Sequence, residues 1–123
     1  MNIHLYYTIQ PHHSMSDTME KSTGLDKDLK IDLLQLKKAA LILRAINHKL
    51  RQQILKLIHQ KEKITVTEIY VKLRLEQSVA SQHLAILRKA GFVTTVRDGK
   101  FIYYSVNNQR LQEVNRFAQD LLK

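Results

Sequence analysis

The run EQSVASQHLAILRKAG, Glu76 to Gly91, followed directly by FVTTVRDGKFIYYSV, Phe92 to Val106, decides the fold. Its first part reads as one amphipathic helix closed by a glycine, with Ala80, Leu84 and Leu87 at helical spacing as the stripe for burial. Gln77, Ser78, Ser81, Gln82, Ala85, Arg88 and Lys89 point the other way. That outer face opens with short amides and hydroxyls, ends in two cations and holds no acid. A solvated face ordinarily mixes acids with bases, whereas amides and hydroxyls without carboxylates suit base edges flanked by phosphates. Alone, the helix reads equally well as plain surface, so the chain after it matters. There the period changes from 3.6 to 2, and Asp98-Gly99 between two β-branched and aromatic runs predicts a hairpin with a two-residue type I′ turn. This register sets Arg97 opposite Lys100, Val96 opposite Phe101 and Thr94 opposite Tyr103. Two cations facing each other at a tip repel, which suits contact with a phosphate; a solvated hairpin end is the plainer alternative.

Working upstream, TVTEIYVKL predicts a short helix in which Thr65 and Glu68 have capping-box spacing. Arg74 and Leu75 leave only a tight link to the helix at Glu76, the order of a helix-turn-helix. Glu76 itself is out of place as an N-cap and brings a negative charge to the end of the helix whose outer face suits base edges. Before that, HKLRQQILKLIHQ directs Leu50, Ile54, Leu57 and Ile58 inward, with Asn47 as the expected N-cap. The segment Asp28 to Ile46 is apolar on more than one face: Leu29, Leu33, Leu36, Ala40 and Leu43 form one stripe, with Leu34, Leu41 and Ile42 outside it. Such a helix needs cover beyond its own core, and a second subunit is the simplest cover. Asn107 to Lys123 predicts a closing helix with a similar surplus, so Leu33, Leu36, Ala40, Leu111, Val114, Phe117 and Leu121 are the expected homodimer contacts. Residues 1–27, irregular and interrupted by Pro11, read as an N-terminal arm, with a loose tail favoured over a short strand in MNIHLYYTI. Residues 28–123 then form one DNA-binding and dimerisation domain.

Composition agrees with one compact, helix-rich domain: 123 residues, 44% hydrophobic, with three Gly and one Pro. Twenty Lys and Arg against eleven Asp and Glu give a net charge of +9, which favours a polyanionic partner. The expected DNA contacts are Gln77, Ser78, Val79, Ser81 and Gln82, then Arg88 and Lys89 at the helix exit, and Arg97 and Lys100 on the hairpin. No apolar run approaches about 18 residues and no basic-then-apolar leader opens the chain, so a cytoplasmic protein without a membrane partner is expected. The absence of Cys removes disulfides and thiolate metal sites. Isolated Gly24, Gly91 and Gly99 make no phosphate loop and there is no HExxH motif, so neither an enzyme nor a cofactor is expected. A basic face for an acidic protein partner is the competing function, separated from DNA reading by salt and sequence dependence.

Helix, helix, helix-turn-helix, hairpin and closing helix is the order of a mostly α winged helix-turn-helix, with about five helices and one two-stranded hairpin wing. Within it SVASQHLAIL, LRKAGFV and RDGKFIYYSV, in this order and spacing, resemble the ArsR/SmtB family of bacterial repressors, over the span Leu36 to Val106. Arg51, Ile54 and Leu55 also match. The resemblance implies that residues 76 to 90 enter the major groove of a double-stranded promoter or operator, that the hairpin touches the flanking backbone, and that the terminal helices pair in a homodimer. Position 82, often Arg in such proteins, is Gln here, a side chain suited to adenine. His83 fits the family pattern and reads as a packed structural histidine. The family's metal sites depart from this sequence: Thr65 and Thr67 stand where a Cys-x-Cys pair is needed, and the closing helix has no His. No metal is expected at either place, and the remaining histidines, His48 and His59 among them, read as solvent-exposed, with an arm site at His4, His12 and His13 as the remote alternative. The residues name no inducer.

Overall fold

The computed structural model describes residues 24–123; the arm before Gly24, with its three histidines, lies outside the described residues. Two compact units divide the chain, one ending at Ala40 and the other running from Leu41 to Lys123. In the first, β1 (Leu25–Asp26) pairs antiparallel with β2 (Ile31–Asp32), and helix α1 (Leu33–Ile46) begins directly after. Apolar periodicity predicts this helix from Asp28, and the structure starts it five residues later. Two carboxylates explain the difference. Asp26 Oδ1 accepts from the amides of Asp28 and Leu29 at 3.0 and 3.1 Å, closing a turn, while Asp32 Oδ1 accepts from Gln35 N at 3.1 Å and caps α1. Leu29 therefore leaves the predicted stripe.

In the second unit the C-terminus of α1 leaves four carbonyls without intrahelical donors, and each has a partner. Leu43 O accepts from Asn47 N, Ile46 O from His48 N and Gln52 Nε2, and the Arg44 and Ala45 carbonyls both accept from the Arg51 guanidinium, at 3.2 and 2.7 Å. Arg51, on α2 (Lys49–Lys61), is only 7% exposed. The cap of α2 is His48 rather than the expected Asn47: its Nδ1 accepts from Arg51 N at 3.3 Å. Ile64–Thr65 forms β3, and Thr65 caps α3 (Val66–Leu73) by the predicted capping box, with Glu68 N to Thr65 Oγ1 at 3.3 Å and Thr65 N to Glu68 Oε1 at 3.2 Å. Arg74, left-handed at φ 56°, makes the turn into α4 (Gln77–Lys89).

Helix α4 ends in a Schellman motif. Phe92 N donates to Leu87 O and Gly91 N to Arg88 O, which requires the positive φ of 86° that Gly91 supplies. Phe92 is thereby driven into the core, where it is fully buried with Ile54, Ile58, Ile64, Ile69, Leu84 and Leu87. The hairpin follows as β4 (Val93–Asp98) and β5 (Phe101–Val106), and β3 adds a third strand through Ile64↔Tyr104 and Thr65↔Tyr103, giving the order β3-β5-β4. Helix α5 (Asn108–Leu121), capped by Asn107, closes the chain.

The predicted hairpin register needs correction. Asp98 pairs with Phe101, Arg97 with Ile102 and Val96 with Tyr103, so the two-residue loop is Gly99-Lys100 rather than Asp98-Gly99. Only Gly99 has positive φ in that loop, as a type II′ turn requires. The change removes the Arg97–Lys100 opposition, whose repulsion the predicted register carried, and lays Lys100 Nζ 5.4 Å from the Phe101 ring centroid. Facing is preserved, because partners shift by two residues.

Candidate nucleic-acid interface

Helix α4 sits on the core through Ala80, Leu84 and Leu87, all buried, which turns the opposite face outward. Gln77, Ser78, Ser81, Gln82, Arg88 and Lys89 are exposed; Val79 is half-buried at the edge of the stripe. The two cations lie in the last turn, where they also complement the helix dipole. Glu76 is the N-cap residue but its carboxylate makes no capping hydrogen bond; its carbonyl accepts from Ala80 N at 3.1 Å. On the wing, Arg97 and Lys100 are exposed, and Arg97 Nε donates to Gly99 O at 3.3 Å, tying the side chain across the loop. Lys63, beside β3, lies 4.9 Å over the ring of Tyr103.

Behind this face lies a contact that reading the sequence in windows missed. Arg51 Nη1 lies 3.2 Å from His83 Nδ1, joining α2 to α4, and the His83 and His48 rings are 5.0 Å apart between centroids. His83 is the packed histidine that was expected. His48, read as solvent-exposed, is instead half-buried as the cap of α2, while His59 is exposed. Burial lowers the pKa of both rings below the usual 6.5; the charge of Arg51 adds to this at His48, and His48 and Arg51 add to it at His83. The matching of Arg51 and His83 to family positions hinted that both are structural, but 32 residues of separation leave no periodic signal joining them.

Of the residues expected at a subunit contact, Leu33 and Leu36 on α1 are 41% and 51% exposed, and Ala40 is exposed. On α5, Phe117 and Leu121 are exposed, at 44% and 68%, whereas Leu111 and Val114 pack against the core of their own chain. At the family's metal positions Thr65 Oγ1 is engaged at the cap of α3, Thr67 is exposed, and α5 carries neither His nor Cys. This donor set does not fit a soft metal ion. Among the described residues no helix is long and apolar enough to cross a membrane.

Comparison with known proteins places this geometry. A family model described as bacterial regulatory protein, arsR family, matches residues 48–95, from the cap of α2 into β4. The transcriptional repressor PagR of Bacillus anthracis is 33% identical over 87 residues, covering 71% of this chain and 87% of that protein. The transcriptional activator HlyU of Vibrio cholerae is 35% identical over 75 residues, covering 61% and 68%. The crystal structure of HlyU from Vibrio vulnificus CMCP6 superposes with a TM-score of 0.54 at 34% identity, covering 71% of this chain and 90% of that one.

Proposed function

The chain belongs to the bacterial arsR family of regulatory proteins, and from that premise we propose that it is a homodimeric repressor that reads an operator through α4 and grips the flanking backbone with its wing. It is a DNA-binding transcriptional regulator and not an enzyme. The observation that carries the site assignment is the outward face of α4, where amides and hydroxyls are exposed in succession, cations follow, and a buried stripe on the opposite side turns the whole face outward. Gln77, Ser78, Ser81 and Gln82 are the base-edge and nearby phosphate contacts, with Val79 beside them against apolar base surface. Arg88, Lys89, Arg97 and Lys100 neutralise phosphates and set the register.

Two such helices in one dimer meet successive major grooves about 34 Å apart, so the operator is close to palindromic. A partner subunit covers exposed apolar side chains: Leu33, Leu36 and Ala40 on α1, and Phe117 and Leu121 on α5, which Leu111 and Val114 anchor from beneath. Repression follows from occupancy of a promoter in the cytoplasm, and the protein responds to something other than a metal at the two family positions. Enrichment of duplexes from a random library by the purified protein tests this. A dyad-symmetric sequence bound at least about 10³-fold tighter than random duplex supports it, and a library that emerges unenriched refutes it.

A further inference from the structure

The Arg51–His48–His83 cluster is more specific than packing requires. A guanidinium always donates, so the His83 nitrogen facing Arg51 Nη1 at 3.2 Å has to accept, and the ring is neutral with its proton on Nε2. The same holds one turn away, where His48 Nδ1 accepts from the Arg51 backbone N–H at 3.3 Å. Both imidazoles therefore turn a lone pair toward an obligate donor, and adding a proton at either Nδ1 converts a hydrogen bond into a contact between two donors. The positive end of the α2 dipole at His48 opposes the proton as well. The guanidinium is held in place, because two of its other donors are engaged by the Ala45 and Arg44 carbonyls at 2.7 and 3.2 Å. On α4, His83 directly follows Gln82, so a backbone shift that separates the ring from Arg51 is carried to the neighbouring outward side chains.

Resting on the DNA-reading function above, we propose that Arg51 is a positioning residue that holds α4 in its reading orientation through His83, and that protonation of the His48–His83 pair releases this hold, so that mild acid erodes operator preference while general attraction to DNA persists. The charged and titratable groups facing His83 are Arg51 and His48; Arg44, in the last turn of α1, lends its carbonyl to the same guanidinium. Base readout tolerates displacements of only about 0.5 Å, so a modest shift of α4 suffices. Phosphates of bound DNA favour the protonated rings, but they do so for every sequence alike, and each added proton strengthens nonspecific binding. The ratio of specific to random affinity isolates the effect.

The test measures binding of the full chain to the library-selected duplex and to random duplex, at constant salt, from pH 7.5 to 5.5, with circular dichroism in parallel. In the wild type the ratio should fall by about threefold or more by pH 5.5, since a coupling of one pKa unit reaches its full tenfold only below the lowered pKa values of both rings, while random-duplex affinity holds or rises. In His48→Asn/His83→Gln, which keeps a neutral acceptor at each place, the ratio should vary less than about twofold over the same range, whatever its level at pH 7.5. A flat wild-type ratio, an equal fall in the double variant, or a fall that follows loss of helical signal overturns the proposal while leaving DNA reading intact. Absence of preference at pH 7.5 removes the DNA-reading function and this inference with it.

Discussion

Replacing Arg51 by Met keeps most of the buried stem and removes the guanidinium. Two of the four terminal carbonyls of α1 then lose their donors, since the Arg44 and Ala45 carbonyls have it as their donor. Ala45 is 3% exposed, so its carbonyl cannot turn to water, and an orphaned buried acceptor costs about 1–3 kcal/mol. The Arg44 carbonyl, in a partly buried bond, adds about 1 kcal/mol, while the pull of the α1 dipole on the cation, about 0.3–1 kcal/mol, is offset by the desolvation that disfavours the charged guanidinium. The total is about 3 kcal/mol, a large share of the stability of a small domain. With a urea slope of about 2 kcal/mol per molar, the midpoint should drop by about 1.5 M at unchanged slope. Arg51→Lys, retaining one cation but no planar fork, should recover less than half of the loss. A midpoint shift below about 0.3 M for Arg51→Met, or a lysine variant as stable as the wild type, would refute the reasoning that this side chain caps the helix.

Three further outcomes are expected. Gln82→Ala should narrow the gap between selected and random duplex by about 1–3 kcal/mol in competition binding, and an equal loss for both would make this side chain a backbone contact. Arg97→Ala with Lys100→Ala should weaken all sequences alike and flatten the salt slope by about one unit per lost phosphate contact, so an unchanged slope takes the wing tip off the DNA. Gly91→Ala should destabilise by about 1–3 kcal/mol in thermal or urea melts: φ is 86° there, and an added Cβ would meet Arg110 Nε at 2.9 Å. A neutral result would mean that the turn relaxes without strain.

Where local chemistry decided the structure, the residues could be read directly. The capping box of Thr65 and Glu68, the glycine stop after α4 and the buried stripe of Ala80, Leu84 and Leu87 each depend on neighbours within a few positions. The hairpin turn lies one residue from the predicted place because Asp98-Gly99 and Gly99-Lys100 both satisfy a two-residue loop, and the observed register is the one that separates Arg97 from Lys100. The start of α1 differs from the periodicity, which continues through Leu29, because Asp26 closes a turn there and Asp32 caps the helix only from Leu33. The third strand was missed since two residues, Ile64 and Thr65, carry no alternation to detect. Hardest to see was the Arg51–His83 contact, which exists only once α2 and α4 are packed together.

The central claim is that α4 reads sequence. Its most direct test is a titration of purified protein against the selected duplex and a scrambled duplex of equal length, from low to physiological salt. Sequence reading by α4 requires a preference that persists at physiological salt above a steep, sequence-independent background. Equal affinities that collapse together as salt rises would contradict it, leaving a basic surface without readout.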